Sequence, residues 1–362
     1  MNPDLWPVAL VAFVCACTCL PAREVDERAL DHQRDLALLG GVALAGLAAF
    51  VAGEYWCCPL ALWAGVRWRA STMLPSVVVW VAIAALWRAA LGIAHLSDIR
   101  VVLILALVTI AIGQCSYAAW QSWNPGPNPR APRGTFGQRT LLAAFLAMVW
   151  PLTTLWPRPL AVITGAIIII GLILTASWVA WLAALAAFTV LEPVAGAVVT
   201  GAAALTVALA LAISGAWRSD VPRGNHVYHA LHIGSVTHRW RTWRCALTRW
   251  PTSLERLAFG ADPGELKYDL LRWDARFKAN LITGHAHSEP IQLVYEYGLC
   301  GAAAIGLFVW RVAPGLAWGD PWSAAAIAGA VCACASITCR TPATGVPWLV
   351  VCAVVAARSA SA

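Results

Sequence analysis

Apolar positions run nearly end to end along this chain, in blocks that are long, uniform and separated by short polar breaks. The blocks cover residues 5–22, 36–53, 72–93, 99–121, 138–156, 194–217, 290–312, 321–338 and 344–357. A helix that crosses a bilayer needs about 20 mostly apolar residues, so each block predicts one span. The run 159–191 is too long for a single helix without strong tilt, and the pattern predicts a break near Thr175–Trp178. Residues 55–66 make one further short candidate. The fold class is therefore all-α, an integral membrane protein of about twelve spans.

One segment departs from this pattern. Residues 218–289 hold eleven Arg and Lys, seven Asp and Glu, and six of the eight histidines. A second polar stretch, 121–140, is rich in Pro, Gly and Arg and predicts an irregular loop. The organisation that follows is a helix bundle over 1–217, a long extracytoplasmic loop over 218–289, and C-terminal helices over 290–362. Four helices between 138 and 217 put both polar stretches, and the break near Ser177, on one side of the membrane. An N-terminus in the cytoplasm places that side outside, although counting arginines in the short loops favours the reverse.

Composition narrows the class. The chain is 60% hydrophobic and 12% charged, with a net charge of +7. No soluble basic domain is present to hold nucleic acid, so none is expected as a partner; the lipid bilayer is. Of the 25 basic residues only Lys267 and Lys278 are lysine. Arginine suits planar, two-point binding of phosphate or carboxylate, though genome composition alone gives the same bias. Most of the 12 cysteines fall inside apolar blocks, and Cys245 has no partner in the long loop, so no disulfide framework is expected. The first block lacks a basic leader and reads as a retained span.

Chemistry concentrates where the polar segment meets the helix that begins near 290. Residues 284–301 read GHAHSEPIQLVYEYGLCG. Glu289, Gln292 and Glu296 fall at i, i+3 and i+7, one face of a helix, and such residues are costly in lipid. That face must meet other helices or a wet cavity. Ser288 is placed to cap the helix and Pro290 fits its first turn. His287 stands just outside, where an imidazole suits general-base work, although a lone interfacial histidine more often caps a loop. His285 and His287 lack a third ligand at metal-site spacing, so no metal is expected. In HRWRTWRCALTRWPTSLERLAFGADPGELKY (238–268), Arg239, Arg241, Arg244 and Arg249 alternate with Trp240, Trp243 and Trp250. This predicts an amphipathic helix, either a surface anchor or a guanidinium cluster for a phosphate group.

These residues together resemble the O-antigen ligase and polysaccharide polymerase superfamily. Its signature, His-Asn-x-x-Leu-Gln followed by Glu-x-Gly-x-x-Gly, is matched by His287, Ser288 in place of Asn, Ile291 in place of Leu, Gln292, Glu296, Gly298 and Gly301. The run from Arg239 through Trp243 to Gly260-Ala-Asp-Pro-Gly264 is similar to the family's Arg-x-x-x-Trp stretch that ends in a Gly/Pro turn. GTFGQRTLLAAFLAMVWPL (134–152) resembles the family's Gly-Thr-Phe-Gly-Asn-x-Asn stretch, with Gln138 and Thr140 where Asn is usual. The resemblance covers about residues 130–305. One departure stands out. After LILTAS (172–177) the family carries an arginine in a Ser-Arg-Gly turn, and here Trp178 and Val179 follow.

The resemblance implies a multi-helix glycosyltransferase of a bacterial inner membrane, its site facing the periplasm or exterior. The donor is a glycan on undecaprenyl diphosphate. The acceptor is a hydroxyl on lipid A core, on another glycan or on a protein, and no cofactor is required. It implies His287 as base or acceptor-positioning group and Arg239 at the diphosphate. Arg241, Arg133 and Arg139 are further candidates for the donor, the last two as substitutes for the missing arginine, with Gln292 and Glu296 as supporting polar groups. The alternatives are a polytopic transporter, whose intramembrane acids bind ions, and an inactive scaffold of the same fold.

Overall fold

The computed structural model describes residues 97–124, 132–202, 233–261, 265–273, 285–336 and 341–358, with Trp87, Ala90 and Leu91 besides. The spans expected at 5–22, 36–53 and 55–66, most of that at 72–93, and the second half of that at 194–217 lie outside these residues. Every regular element described is a helix.

We number the described helices in chain order. They are α1 (Ser97–Trp123), α2 (Arg139–Val149), α3 (Arg158–Thr175) and α4 (Trp178–Leu191), then α5 (Pro193–Ala202). The polar segment forms α6 (Ile233–Arg249), α7 (Leu254–Phe259) and α8 (Glu265–Trp273), and the C-terminal part forms α9 (Glu289–Val312), α10 (Pro321–Ala335) and α11 (Pro342–Arg358). Among the described residues, three helices are long and apolar enough to cross a membrane: Arg100–Trp123, Arg158–Thr175 and Glu289–Gly315. The other apolar helices are shorter.

The run 159–191 is two helices, as its length requires. Ala176 takes a left-handed backbone (φ 48°) and ends α3, and Ser177 begins α4. At the centre lies α2, continued by a 3-10 turn over Trp150–Leu155. Its residues from Leu141 to Val149 are all buried, as a helix apolar on every side demands. α3 returns antiparallel beside it, with Gly171 against Leu146 and Cys115, and Gly165 against Trp150 and Thr153. The end of α3 and the start of α2 therefore share one end of the bundle. α4 then crosses to the other end, where Gly319 donates its N–H to the Val190 carbonyl. α4 and α10 are alanine-rich, and small side chains let such helices approach closely in lipid.

The outer faces remain apolar. Val101 and Leu105 on α1, Val162 and Ile173 on α3, and Leu299 and Val309 on α9 are all exposed. Such a surface is a liability in water and ordinary in a bilayer. Tyr117 and Trp120 stack at 5.5 Å near one end of α1, beside the exposed Trp123, while Trp310 and Trp318 are exposed at the opposite end of the bundle. Aromatic residues of this kind mark the two lipid–water boundaries of a membrane protein.

The polar segment builds a second small core. Cys245, Ala246, Leu266 and Leu270 pack with Ala286 and with Tyr295 of α9. α6 is amphipathic as expected, and its buried face meets protein. Its face with Arg239, Thr242, Cys245 and Ala246 is buried, while Trp240 stands 62% exposed. α8 and α9 cover the Cys245–Ala246 part of that face, while Arg239 points inward to Trp178 of α4 and the Ala335 carbonyl of α10.

Candidate functional site

The start of α9 is the natural frame of the site. Glu289, Gln292 and Glu296 are all buried, as their cost in lipid requires, and Gln292 and Glu296 are each only 2% exposed. Gln292 Oε1 accepts the backbone N–H of Ala286 at 2.5 Å, and its Nε2 donates to Glu296 Oε1 at 2.5 Å. The polar face thus turns its hydrogen bonds onto the His285–Ser288 turn and holds that turn over the helix. Ser288 occupies the cap position, but its side chain makes no capping bond. The Gln292 amide reaching back to Ala286 organises this helix entrance instead.

His287 has a left-handed backbone, φ 51°. Among the described residues the only other non-glycine residue in that region is Ala176. Such conformations cost on the order of 1–3 kcal/mol and persist where surrounding contacts enforce them. One arginine acts on His287 and meets Trp178, two residues after Ala176. Arg239 of α6 sits over the Trp178 ring, 5.4 Å from its centroid, at the start of α4. Its Nη1 donates to the Ala335 carbonyl at the end of α10. Four residues along α6, Trp243 Nε1 donates to the Ala286 carbonyl at 2.7 Å. Arg239 and Trp243 therefore share a working face, one tied to the bundle and the other to the histidine turn.

The electrostatics follow from this juxtaposition. Burial lowers the pKa of the His287 imidazole to about 4, helped by the Arg239 guanidinium and by the neighbouring His285 and His238. His238 is lowered too, by burial and then by Arg239 and Arg241. The His287 imidazole is neutral at physiological pH, beside the positive charge of Arg239. Burial lowers the Arg239 pKa as well, but a guanidinium stays protonated throughout the physiological range.

A break in α9 fixes the turn's height. Gly298 is non-helical (φ 60°, ψ −143°), which leaves the helix carbonyls before it without their usual donors. The Gly260-Ala261 backbone of the polar segment fills the gap: Ala261 donates its N–H to the Tyr295 carbonyl at 2.8 Å. A Cβ on Gly260 would stand 2.3 Å from the Glu296 carbonyl carbon, and one on Gly298 2.6 Å from the Ala258 backbone. Neither position has room for a side chain. Replacing Gly298 with alanine should destabilise the protein by about 2–4 kcal/mol, from the clash and the positive φ together. A thermal midpoint unchanged from wild type in detergent would contradict this docking.

Beside the break, Tyr295 Oη donates to Asp269 Oδ2 at 2.8 Å, and Arg256 donates to Asp269 at 3.1 Å and to Glu265. This clasp joins α7, α8 and α9.

The structure thus brings His287, Arg239, Gln292 and Glu296 into one cluster. Arg241, two positions past Arg239, is half-buried on a different side of α6. Arg133 lies on the loop before α2, where its Nη1 donates to the Gly137 carbonyl at 3.4 Å, and Arg139 is the first residue of α2. From the level where Gly171 meets Leu146, α3 rises about 6 Å to Thr175 and α2 about 10 Å to Arg139, so this loop shares the bundle end of Trp178. The turn Asp262–Gly264 falls outside the described residues. Among the described residues no three His, Cys, Asp or Glu side chains are grouped to hold a metal ion.

Sequence reasoning treated Trp178 only as a missing arginine, and it missed the Tyr295–Asp269–Arg256 clasp. The signal for Trp178 was its position at the break itself. Neither a scan against protein-family models nor a search of curated proteins finds a match to this chain.

Proposed function

We propose that this chain is an O-antigen ligase-like membrane glycosyltransferase, a ligase or polymerase. It would move a glycan from undecaprenyl diphosphate to an acceptor hydroxyl on lipid A core, on a glycan or on a protein, at the outer face of the inner membrane. The observation that carries this reading is the cluster itself: a neutral imidazole in a constrained turn beside an inward-facing arginine, at the lipid–water end of an apolar bundle. In the reaction, the acceptor oxygen bonds to the anomeric carbon, and the carbon–oxygen bond to the carrier diphosphate breaks. The bonding pair leaves on the diphosphate, which Arg239 stabilises. The hydroxyl proton passes to His287 and then to water. An imidazole of such low basicity takes that proton late, once bond formation has made the acceptor oxygen acidic. Gln292 and Glu296 hold the turn. Trp178, in place of a second arginine, supplies a flat platform that orients Arg239 through its π face.

Topology tests the donor assignment. With Cys245 and Cys334 replaced, cysteine at the exposed position Arg244 should react on intact cells with a membrane-impermeant thiol reagent. Labelling only after lysis would place the site on the cytoplasmic side, away from a flipped lipid-linked donor.

A further inference from the structure

α1 crosses the apolar region carrying two glutamines, Gln114 and Gln121, spaced two helical turns apart on one face. Polar side chains in a spanning helix are costly unless partnered, and both amides close on one loop through their oxygen and their nitrogen. Gln121 Oε1 accepts the backbone N–H of Arg133 and of Gly134, each at 3.0 Å, and its Nε2 donates to the Gly134 carbonyl at 3.2 Å. Gln114 Oε1 accepts the Thr135 N–H at 3.0 Å, and its Nε2 donates to Thr135 Oγ1 at 2.9 Å. Gly134, at φ 59°, passes so close that a Cβ there would stand 2.5 Å from Gln114 Oε1.

We infer that Gln114 and Gln121 are positioning residues, which clamp the Arg133–Thr135 backbone so that the Arg133 guanidinium is presented to a diphosphate at the Trp178 end of the bundle. The inference rests on the proposed transferase reading and deepens it. The glutamines of the neighbouring span hold this loop, and with it Arg133, at the bundle end that Trp178 shares. A clamp that served folding alone could grip any part of the loop. This one closes on the main chain of Arg133 and of the two residues after it.

Inorganic pyrophosphate, titrated into the purified full-length protein in detergent, serves as probe. Wild type should bind it, and Gln121→Leu should weaken that binding about tenfold or more. The same variant should raise the donor KM in parallel while kcat is largely kept, as expected when uniform binding is lost. Arg133→Gln leaves the clamp intact and should lower pyrophosphate affinity by a similar factor, which covers the case where Gln121→Leu does not fold. A Gln121→Leu protein with a lower thermal midpoint but wild-type pyrophosphate affinity would make the clamp merely structural and overturn the inference. So would wild-type affinity in Arg133→Gln. Both results leave the transferase reading standing if glycan transfer persists. Absence of pyrophosphate binding by wild type overturns the inference and counts against the transferase reading as well.

Discussion

Replacing His287 with asparagine is expected to abolish glycan transfer, lowering the rate by about 10²–10⁴-fold while the protein still folds and inserts. Asparagine is the informative choice because His287 holds a left-handed backbone. Asn accepts that conformation, whereas alanine adds a backbone cost of roughly 1–2 kcal/mol that has nothing to do with chemistry. The turn itself is held from outside the imidazole, by Gln292 on the Ala286 N–H and Trp243 on the Ala286 carbonyl. Removing the ring therefore leaves those bonds in place. His285 is exposed and two residues earlier, so His285→Ala should reduce transfer far less. Initial rates on purified protein, with a thermal midpoint as control, decide the matter. Near-normal transfer by folded His287→Asn would return this residue to an interfacial histidine that closes a loop.

The second large effect is expected at Arg239. Lysine keeps a charge but loses the planar fork and cannot lie flat over Trp178. Arg239→Lys should lower transfer by about 10²–10³-fold, the range seen when a donor aimed at developing charge is removed. A pH profile separates this from a packing defect. On the proposed reading the wild-type acid limb should follow protonation of His287, whose pKa is depressed to about 4 by burial and by Arg239 among its neighbours. The neutral base is therefore present above that pH and lost below it. Arg239→Ala removes a positive charge that opposes protonation, so the limb of its residual activity should move upward, toward the ordinary histidine value. Full transfer in both variants, with the limb unmoved, would make Arg239 an anchor between α6 and the bundle.

Several of these features were legible in the sequence, for reasons that trace to single constraints. The break at Ala176–Ser177 was readable because 159–191 exceeds what one spanning helix accommodates. The buried face of Glu289, Gln292 and Glu296 was readable because such residues cannot face lipid. The inward turn of α6 was not readable, because its alternation of arginine and tryptophan fits a surface helix equally well until α8 and α9 are seen to cover it. The helix break at Gly298 was hidden for a similar reason. Glycine is common in membrane helices, and only the approach of Gly260 makes this one a break. Gln114 and Gln121 were lost inside a block read by hydropathy alone, where two amides hardly alter the average. Trp178 was read as a cation missing, and only its contact with Arg239 gives it a positive role.

The central claim is transfer from a diphosphate carrier, and release of that carrier measures it most directly. The purified protein is reconstituted in proteoliposomes with lipid-linked glycan extracted from cells lacking it, together with a hydroxyl acceptor from the same cells. Undecaprenyl diphosphate should be released in step with glycosylated acceptor, and both should disappear with His287→Asn. No release by the wild-type protein, or equal release by folded His287→Asn, would contradict the account.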